Sequence, residues 1–205
     1  MRAYRAPLLT FLQWRWQLAT DDAEDLVQEF WSTALHREWL ERFDPERGRF
    51  RTFLRVAADR FAANEHQAAR RLKRGGGTET VPLDAVALPG NDGATEAELR
   101  FRDEWIRSVF ALAVERLEFE ARDRDRPVHV LLFRAYDLTD DADYGRPTHD
   151  DLAREHGLSV TQVLNHLAWS RRRFRVHVLA VLRALAGSEQ EYREDVRELL
   201  GVEPP

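Results

Sequence analysis

The chain of 205 residues has no cysteine. That absence removes disulfides, thiol nucleophiles, iron–sulfur clusters and every thiolate zinc site, and it fits a reducing compartment. No apolar run approaches the roughly 18 residues needed to span a bilayer, and the N-terminus lacks the short apolar core and small-residue cleavage site of a secretory signal. The sequence therefore reads as a soluble, cytoplasmic protein without membrane insertion. Lysine is almost absent: Lys73 is the only one, so nearly all positive charge is arginine. Arginine's fork of donors suits phosphates and guanine edges, although a GC-rich genome produces the same bias. Catalytic frameworks are missing too. The seven histidines form no His-Glu-x-x-His pattern and no ligand-spaced set. Gly75-Gly76-Gly77 lacks both a preceding strand and a following Lys-Ser/Thr, so it is not a phosphate cradle. Neither enzymatic activity nor a metal or cofactor is expected.

Alternating strand patterns are scarce, whereas 3.6-residue periodicity runs through most of the chain, so the expected fold is all-α. A first helix is read from Pro7 to Leu18 and a second from Asp21, where Glu24 completes an Asp-x-x-Glu capping box. The apolar stripe of the second helix is Val27, Phe30, Trp31, Ala34, Leu35 and Trp39. Proline and glycine in Phe43-Asp44-Pro45-Glu46-Arg47-Gly48 break it. A third helix runs from Phe50 past Ala69, with Phe50, Phe53, Leu54, Ala57 and Phe61 on one face and Arg51, Arg55 and Arg60 around the others. Glycine and proline between Gly75 and Ala94 mark a flexible linker. Thr95 with Glu98 caps a further helix to about Arg122, and another spans Pro127 to Leu138. Two small helical domains follow: residues 1–74 and 95–186, joined by 75–94, with 187–205 as a C-terminal extension.

The formal charge of −5 argues against a protein that coats nucleic acid by bulk electrostatics. Distribution is more informative than the total. Thr20 to Glu46 holds nine acids against Arg37 and Arg42, while Arg60 to Arg74 holds five basic residues against Glu65. Adjoining acidic and basic surfaces suit one basic and one acidic partner.

The sharpest local signal lies in 148–175. Thr148 with Asp151 caps a short helix, Gly157 turns the chain, and Ser159 with Gln162 caps a second helix. Ala153 is small where two helices cross, and Leu152, Leu158, Val163 and Leu167 pack the angle. This is the pattern of a helix-turn-helix DNA reader, which would turn Thr161, Gln162, Asn165, His166 and Trp169 toward base edges. Arg171, Arg172, Arg173 and Arg175 would hold phosphates. The plainer reading is a helical hairpin with a solvated arginine cluster. A second constellation, Asn64 through Arg74, interleaves basic residues with the aromatics of its helix, as single-stranded or melted nucleic acid requires. Phe50, Phe53 and Phe61 read equally as core. The acids from Asp21 to Glu29 sit at a helix start, where they oppose the macrodipole favourably, and fit a protein-docking face better than acid–base chemistry.

Together these residues resemble the sigma-70 superfamily, specifically the two-domain extracytoplasmic-function (ECF) sigma factors. Asp22 to Phe30 resembles the region 2 core-binding motif. Phe43 to Leu54 and Ala63 to Gly77 resemble the segments that melt and read the minus-ten element, and Leu152 to Phe174 resembles region 4, which reads the minus-thirty-five element. The tail from Ser188 to Leu200 resembles an extension found in one large subset. The resemblance implies that Asp22, Asp25, Gln28 and Glu29 face the polymerase β′ subunit, and that region 4 touches the β flap. It implies minus-ten contacts from Phe50, Arg51, Asn64, His66, Arg70, Arg71 and Lys73. It implies minus-thirty-five contacts from Ser159, Thr161, Gln162, Asn165, His166, Trp169, Arg171, Arg172, Arg173 and Arg175. The linker would thread near the polymerase active-site channel. Fewer residues precede the acidic motif than in relatives, so either the true start lies upstream or the first domain is trimmed.

The sequence thus reads as a non-catalytic subunit that binds core polymerase and promoter DNA, with an anti-sigma factor as a further candidate partner. The competing readings are a freestanding helix-turn-helix regulator and a pure interaction protein. The spacing of Tyr192, Val196, Leu199 and Leu200 makes a docking stripe whose counterpart is open.

Overall fold

A computed structural model describes residues 2–74, 95–139 and 145–203, and these form helices joined by turns, with no strand among them. The all-α expectation holds. The proposed linker at 75–94 lies outside the described residues.

The helices are α1 (Arg2–Trp16), α2 (Thr20–His36), α3 (Phe50–Arg74), α4 (Glu96–Asp123), α5 (Pro127–Asp137), α6 (His149–His156), α7 (Val160–Leu185) and α8 (Glu189–Leu200), with two single 3-10 turns, Trp39–Arg42 and Pro45–Arg47. They pack as two compact units, one comprising Met1–Ser108 with Leu185–Pro205 and the other Val109–Ala184. These units divide the chain differently from its composition. The first turns of α4, which hold Ala97, Phe101 and Trp105, are buried in the first unit. So is α8, whose Tyr192 and Val196 are 4% and 0% exposed. The stripe read in the tail therefore has its counterpart within the chain.

In the first unit α1, α2 and α3 pack on one another around Leu8, Phe11, Leu12, Val27, Phe30, Leu54 and Phe61. Helix α1 starts five residues earlier than expected: Pro7, the expected first residue, lies inside the helix and is buried. Gln17 ends α1 in a left-handed conformation (φ 52°), and the Leu18 N–H reaches back to the Gln13 carbonyl at 3.2 Å, closing the helix as a Schellman turn does. The expected Asp21–Glu24 capping box does not form. Helix α2 begins one residue earlier, with Ala19 at the cap and no side-chain cap bond, so Asp21 and Asp22 act only through the helix dipole. Of its apolar stripe, Val27, Phe30 and Ala34 are buried, Trp31 is half-buried and Leu35 is exposed.

The second unit has a core of Leu117, Ala121, Val130, Leu132, Phe133, Leu152, Ala153, Val163 and Leu167. Every residue assigned from the sequence to the angle between α6 and α7 is in this cluster or, like Leu158, packed against it.

Candidate nucleic-acid interface

The junction of α6 and α7 is built by two reciprocal caps. Thr148 Oγ1 accepts from the Asp151 N–H at 3.1 Å while Asp151 Oδ2 accepts from the Thr148 N–H at 3.0 Å. The Thr148 hydroxyl, which donates to Asp151 Oδ2 at 2.6 Å, and then the Thr148 N–H hold the Asp151 carboxyl below its ordinary range. At the start of α7 the Gln162 N–H donates to Ser159 Oγ at 3.2 Å, and Gln162 Oε1 accepts from the Ser159 N–H at 2.8 Å. Gly157 between them has φ 64°, the left-handed turn that favours glycine. Two helices are thereby fixed at a short turn, with Thr161, Gln162 and Asn165 exposed along the outer face of α7.

The structure divides the predicted contact residues into groups with different surroundings. Gln162 has its carbonyl oxygen engaged in the cap, so a bidentate bond to adenine would compete with the cap itself. Asn165 carries no such commitment. Arg171 donates to both oxygens of Asp137 at 2.9 Å, and Arg173 Nε donates to Glu120 at 2.9 Å. Glu120 also meets His177 at 2.7 Å and lies below the ordinary carboxylate range: burial alone would raise it, and Arg173 and His177 outweigh burial. Arg171 and Arg173 therefore tie α7 to α5 and α4. Arg172 and Arg175 are exposed and have no acid partner among the described residues, which leaves them open to an anion.

His166 and Trp169 are half-buried beside a residue the sequence reading missed. The rings of His129, on α5, and His166 lie 3.9 Å apart, His129 meets Trp169 at 5.1 Å, and Arg126 lies 5.4 Å over Trp169. These residues, with Asn165 and Arg172, line an open cleft of about 580 Å³. Burial, then the neighbouring His166 and Arg126 charges, pushes His129 down to about 4; burial and Arg126 lower His166. Both rings are neutral at pH 7. The cleft offers imidazole and amide hydrogen-bonding groups beside guanidinium charge. Local pattern gave no sign of Arg126 or His129, because they reach the reading helix from about 40 positions away in sequence.

In the first unit, Asp22, Asp25, Gln28 and Glu29 are all exposed. Their spacing places them on one side of α2, opposite the buried Ala23, Val27, Phe30 and Ala34. The Glu65 carboxyl on α3 is raised by burial and then by the charge of Glu29, so the acidic face continues onto α3.

The residues expected to meet melted DNA are disposed unevenly. His66 is exposed, its ring 5.7 Å from that of Trp16. Asn64 is half-buried. Arg70, Arg71 and Lys73 belong to the last turns of α3, and their side chains lie outside the described residues. Phe50 packs edge-on against Tyr4 and Phe43, at 5.7 and 5.1 Å between ring centres. Arg51 is only 8% exposed. It lies 4.3 Å over the Trp105 ring and donates to Asp195 at 2.8 Å and Glu198 at 2.9 Å. Arg49, which was not singled out from the sequence, bonds the same two carboxylates and Glu194. Burial pushes Asp195 up to about 6 against the pull of both arginines, whereas the less buried Glu198 is drawn down to about 2, its bonds to Arg49 and the charge of Arg51 outweighing burial.

Among the described residues no group of His, Cys, Asp or Glu could hold a metal ion, and no helix is long and apolar enough to cross a membrane. No curated protein and no solved structure matches the chain. Residues 1–72 match the family described as Sigma-70 region 2, the segment that carries the acidic face of α2, the aromatic turn and most of α3. That match supports membership of the sigma-70 superfamily and, in general terms, a sigma-factor role.

Proposed function

We propose that the chain is a sigma factor of the ECF type. It binds core RNA polymerase through the exposed acidic face of α2, with β′ as the main partner. It reads a minus-ten element with α3 and the turn before it, and a minus-thirty-five element with α7. The observation that carries this reading is the region 2 match over the stretch where acidic and basic surfaces adjoin. The paired caps and left-handed Gly157 support the upstream reader, since they aim an exposed polar helix face in the way major-groove readers require.

The test is in vitro transcription from genomic DNA with core polymerase, mapping start sites. The expected result is initiation at discrete sites that share upstream and minus-ten sequences and depend on the added chain. Failure to form a complex with core enzyme, together with salt-sensitive operator binding by the free chain, would instead make it a freestanding regulator.

A further inference from the structure

Residues 187–205 carry six acids against Arg193 and Arg197, so most of the formal −5 resides in this short tail. Three of those acids converge on one cluster of arginines. Glu194, Asp195 and Glu198 on α8 meet Arg49 and Arg51 at the start of α3, and Glu198 accepts from Arg102 of α4 at 2.6 Å. Arginine forks with several carboxylate oxygens at 2.6–3.4 Å are geometrically what the same forks make with successive phosphates. The helix that supplies the carboxylates is short and is joined through Gly187 and Ser188. Of its apolar and aromatic side chains Tyr192 and Val196 are buried, with Leu199 and Leu200 half-buried. Much of what seats α8 is thus charge pairing with Arg49 and Arg51, and a polyanion competes for such pairs directly.

We infer that Arg49 and Arg51 form a binding site for the phosphodiester backbone of DNA which α8 occupies in cis, its carboxylates standing in for phosphates, so that the tail restrains DNA binding until it is released. This rests on the DNA-reading role proposed above for the start of α3. It also accounts for a buried Arg51 at a position where a DNA contact is expected: the guanidinium is already engaged, by an internal substitute. Release exposes two fixed positive charges and removes the negative ones that repel the strand.

The experiment uses the full chain without polymerase, so that its outcome is separable from that of the sigma-factor reading: a chain that fails to initiate transcription sinks the latter alone. Affinity for a labelled single-stranded oligonucleotide is read by fluorescence anisotropy over a salt series. Asp195→Asn/Glu198→Gln removes both carboxylates paired with Arg51 and leaves Arg49 only Glu194. Val196→Asp expels α8 through its apolar anchor while adding a negative charge, so a gain in affinity there cannot come from net charge. Asp103→Asn/Glu41→Gln is the charge-matched control. Hydrogen exchange of α8 and of Phe53–Ala62 reports whether the helix has left and the α3 core remains. With α8 released, binding should tighten several-fold beyond the control. The slope of log affinity against log salt should steepen by about 1.4, the value for two extra phosphate contacts on a single strand. Adding Arg49→Ala/Arg51→Ala should abolish both changes. If α8 exchanges freely in either release variant and affinity stays at the control value, or if the gain survives loss of both arginines, the inference is overturned.

Discussion

Four arginines crowd one turn and a half of α7, yet their surroundings assign them different work. Arg171 and Arg173 each sit on an acid whose side chain is mostly covered, Asp137 at 17% and Glu120 at 12% exposed. Removing either arginine takes the best-placed partner from a partly desolvated carboxylate, although Asp137 keeps Arg146 and Glu120 keeps Arg124 and His177, so Arg171→Ala and Arg173→Ala should each cost about 1 kcal/mol of unfolding free energy, Arg171 less because it is half exposed itself. Arg172→Ala/Arg175→Ala should leave stability nearly unchanged and weaken duplex binding alike on all sequences. It should flatten the salt dependence by about 1.8 for two lost phosphate contacts. Equal stability losses across all four would refute this division. His129 gives a second residue-level expectation. Its folded-state pKa of about 4 lies below the ordinary 6.5, so the unfolded chain binds the extra proton between those values. The stability it contributes is fully present above pH 6.5 and is lost as pH falls toward 4. His166 acts in the same direction beside it, with Arg126 as the facing charge. Denaturation midpoints of the wild type should therefore fall more steeply from pH 6.5 to 4 than those of His129→Gln; parallel curves would contradict the half-buried neutral imidazole.

At the scale of elements, what the sequence made legible was periodicity and local caps. The helices α3, α4 and α5 begin where a phenylalanine-rich face, Thr95 with Glu98, and Pro127 indicate; the first signal is periodicity, the second a short-range pair of bonds and the third a fixed φ. The reading failed at α1 where tertiary burial overrode the local rule. Pro7 is tolerated inside α1 because its ring is packed in the core; at α2 the cap position falls on the exposed Ala19, and burial does not explain why Asp21 is passed over. At the α6–α7 turn, by contrast, local and tertiary demands agree: the cap positions, Gly157 and the small Ala153 all serve one geometry. Ser159→Ala removes the acceptor for the Gln162 N–H and one of the two donors to the Gln162 side-chain oxygen, leaving only the N–H of residue 159 to hold it. It should cost about 1 kcal/mol, the usual loss for such a cap. It should also change which bases are preferred opposite Gln162, a result visible by selecting binding sites from a randomised upstream element. Loss of stability with unchanged preference would mean that Gln162 serves the cap alone.

For the whole molecule, the separation of charge was readable from the sequence but its pairing was not. The acids of α2 could be placed on one face because they share a single helix and a 3.6-residue period. Arg49, Arg51 and Arg102 could not be connected to Glu194, Asp195 and Glu198 by any pattern, since more than 90 positions separate each pair. As a result, Arg51 looks like a free cation in sequence and is a buried one in the fold, while α8, which looks like an appendage, is part of the first unit. The α2 acids have the opposite character. Asp22, Asp25, Gln28 and Glu29 remain exposed, and no described residue covers that face. If that face is the docking surface for polymerase, Asp25→Arg should reverse the local charge without disturbing any buried contact. The free chain should then melt within about 0.5 kcal/mol of the wild type, as surface substitutions do. Its affinity for core polymerase should fall at least several-fold, since like charges placed opposite one another at an interface slow association and destabilise the complex. Binding measured by fluorescence with labelled core enzyme decides the matter: an unchanged affinity in a normally folded Asp25→Arg protein would move the polymerase contact off α2.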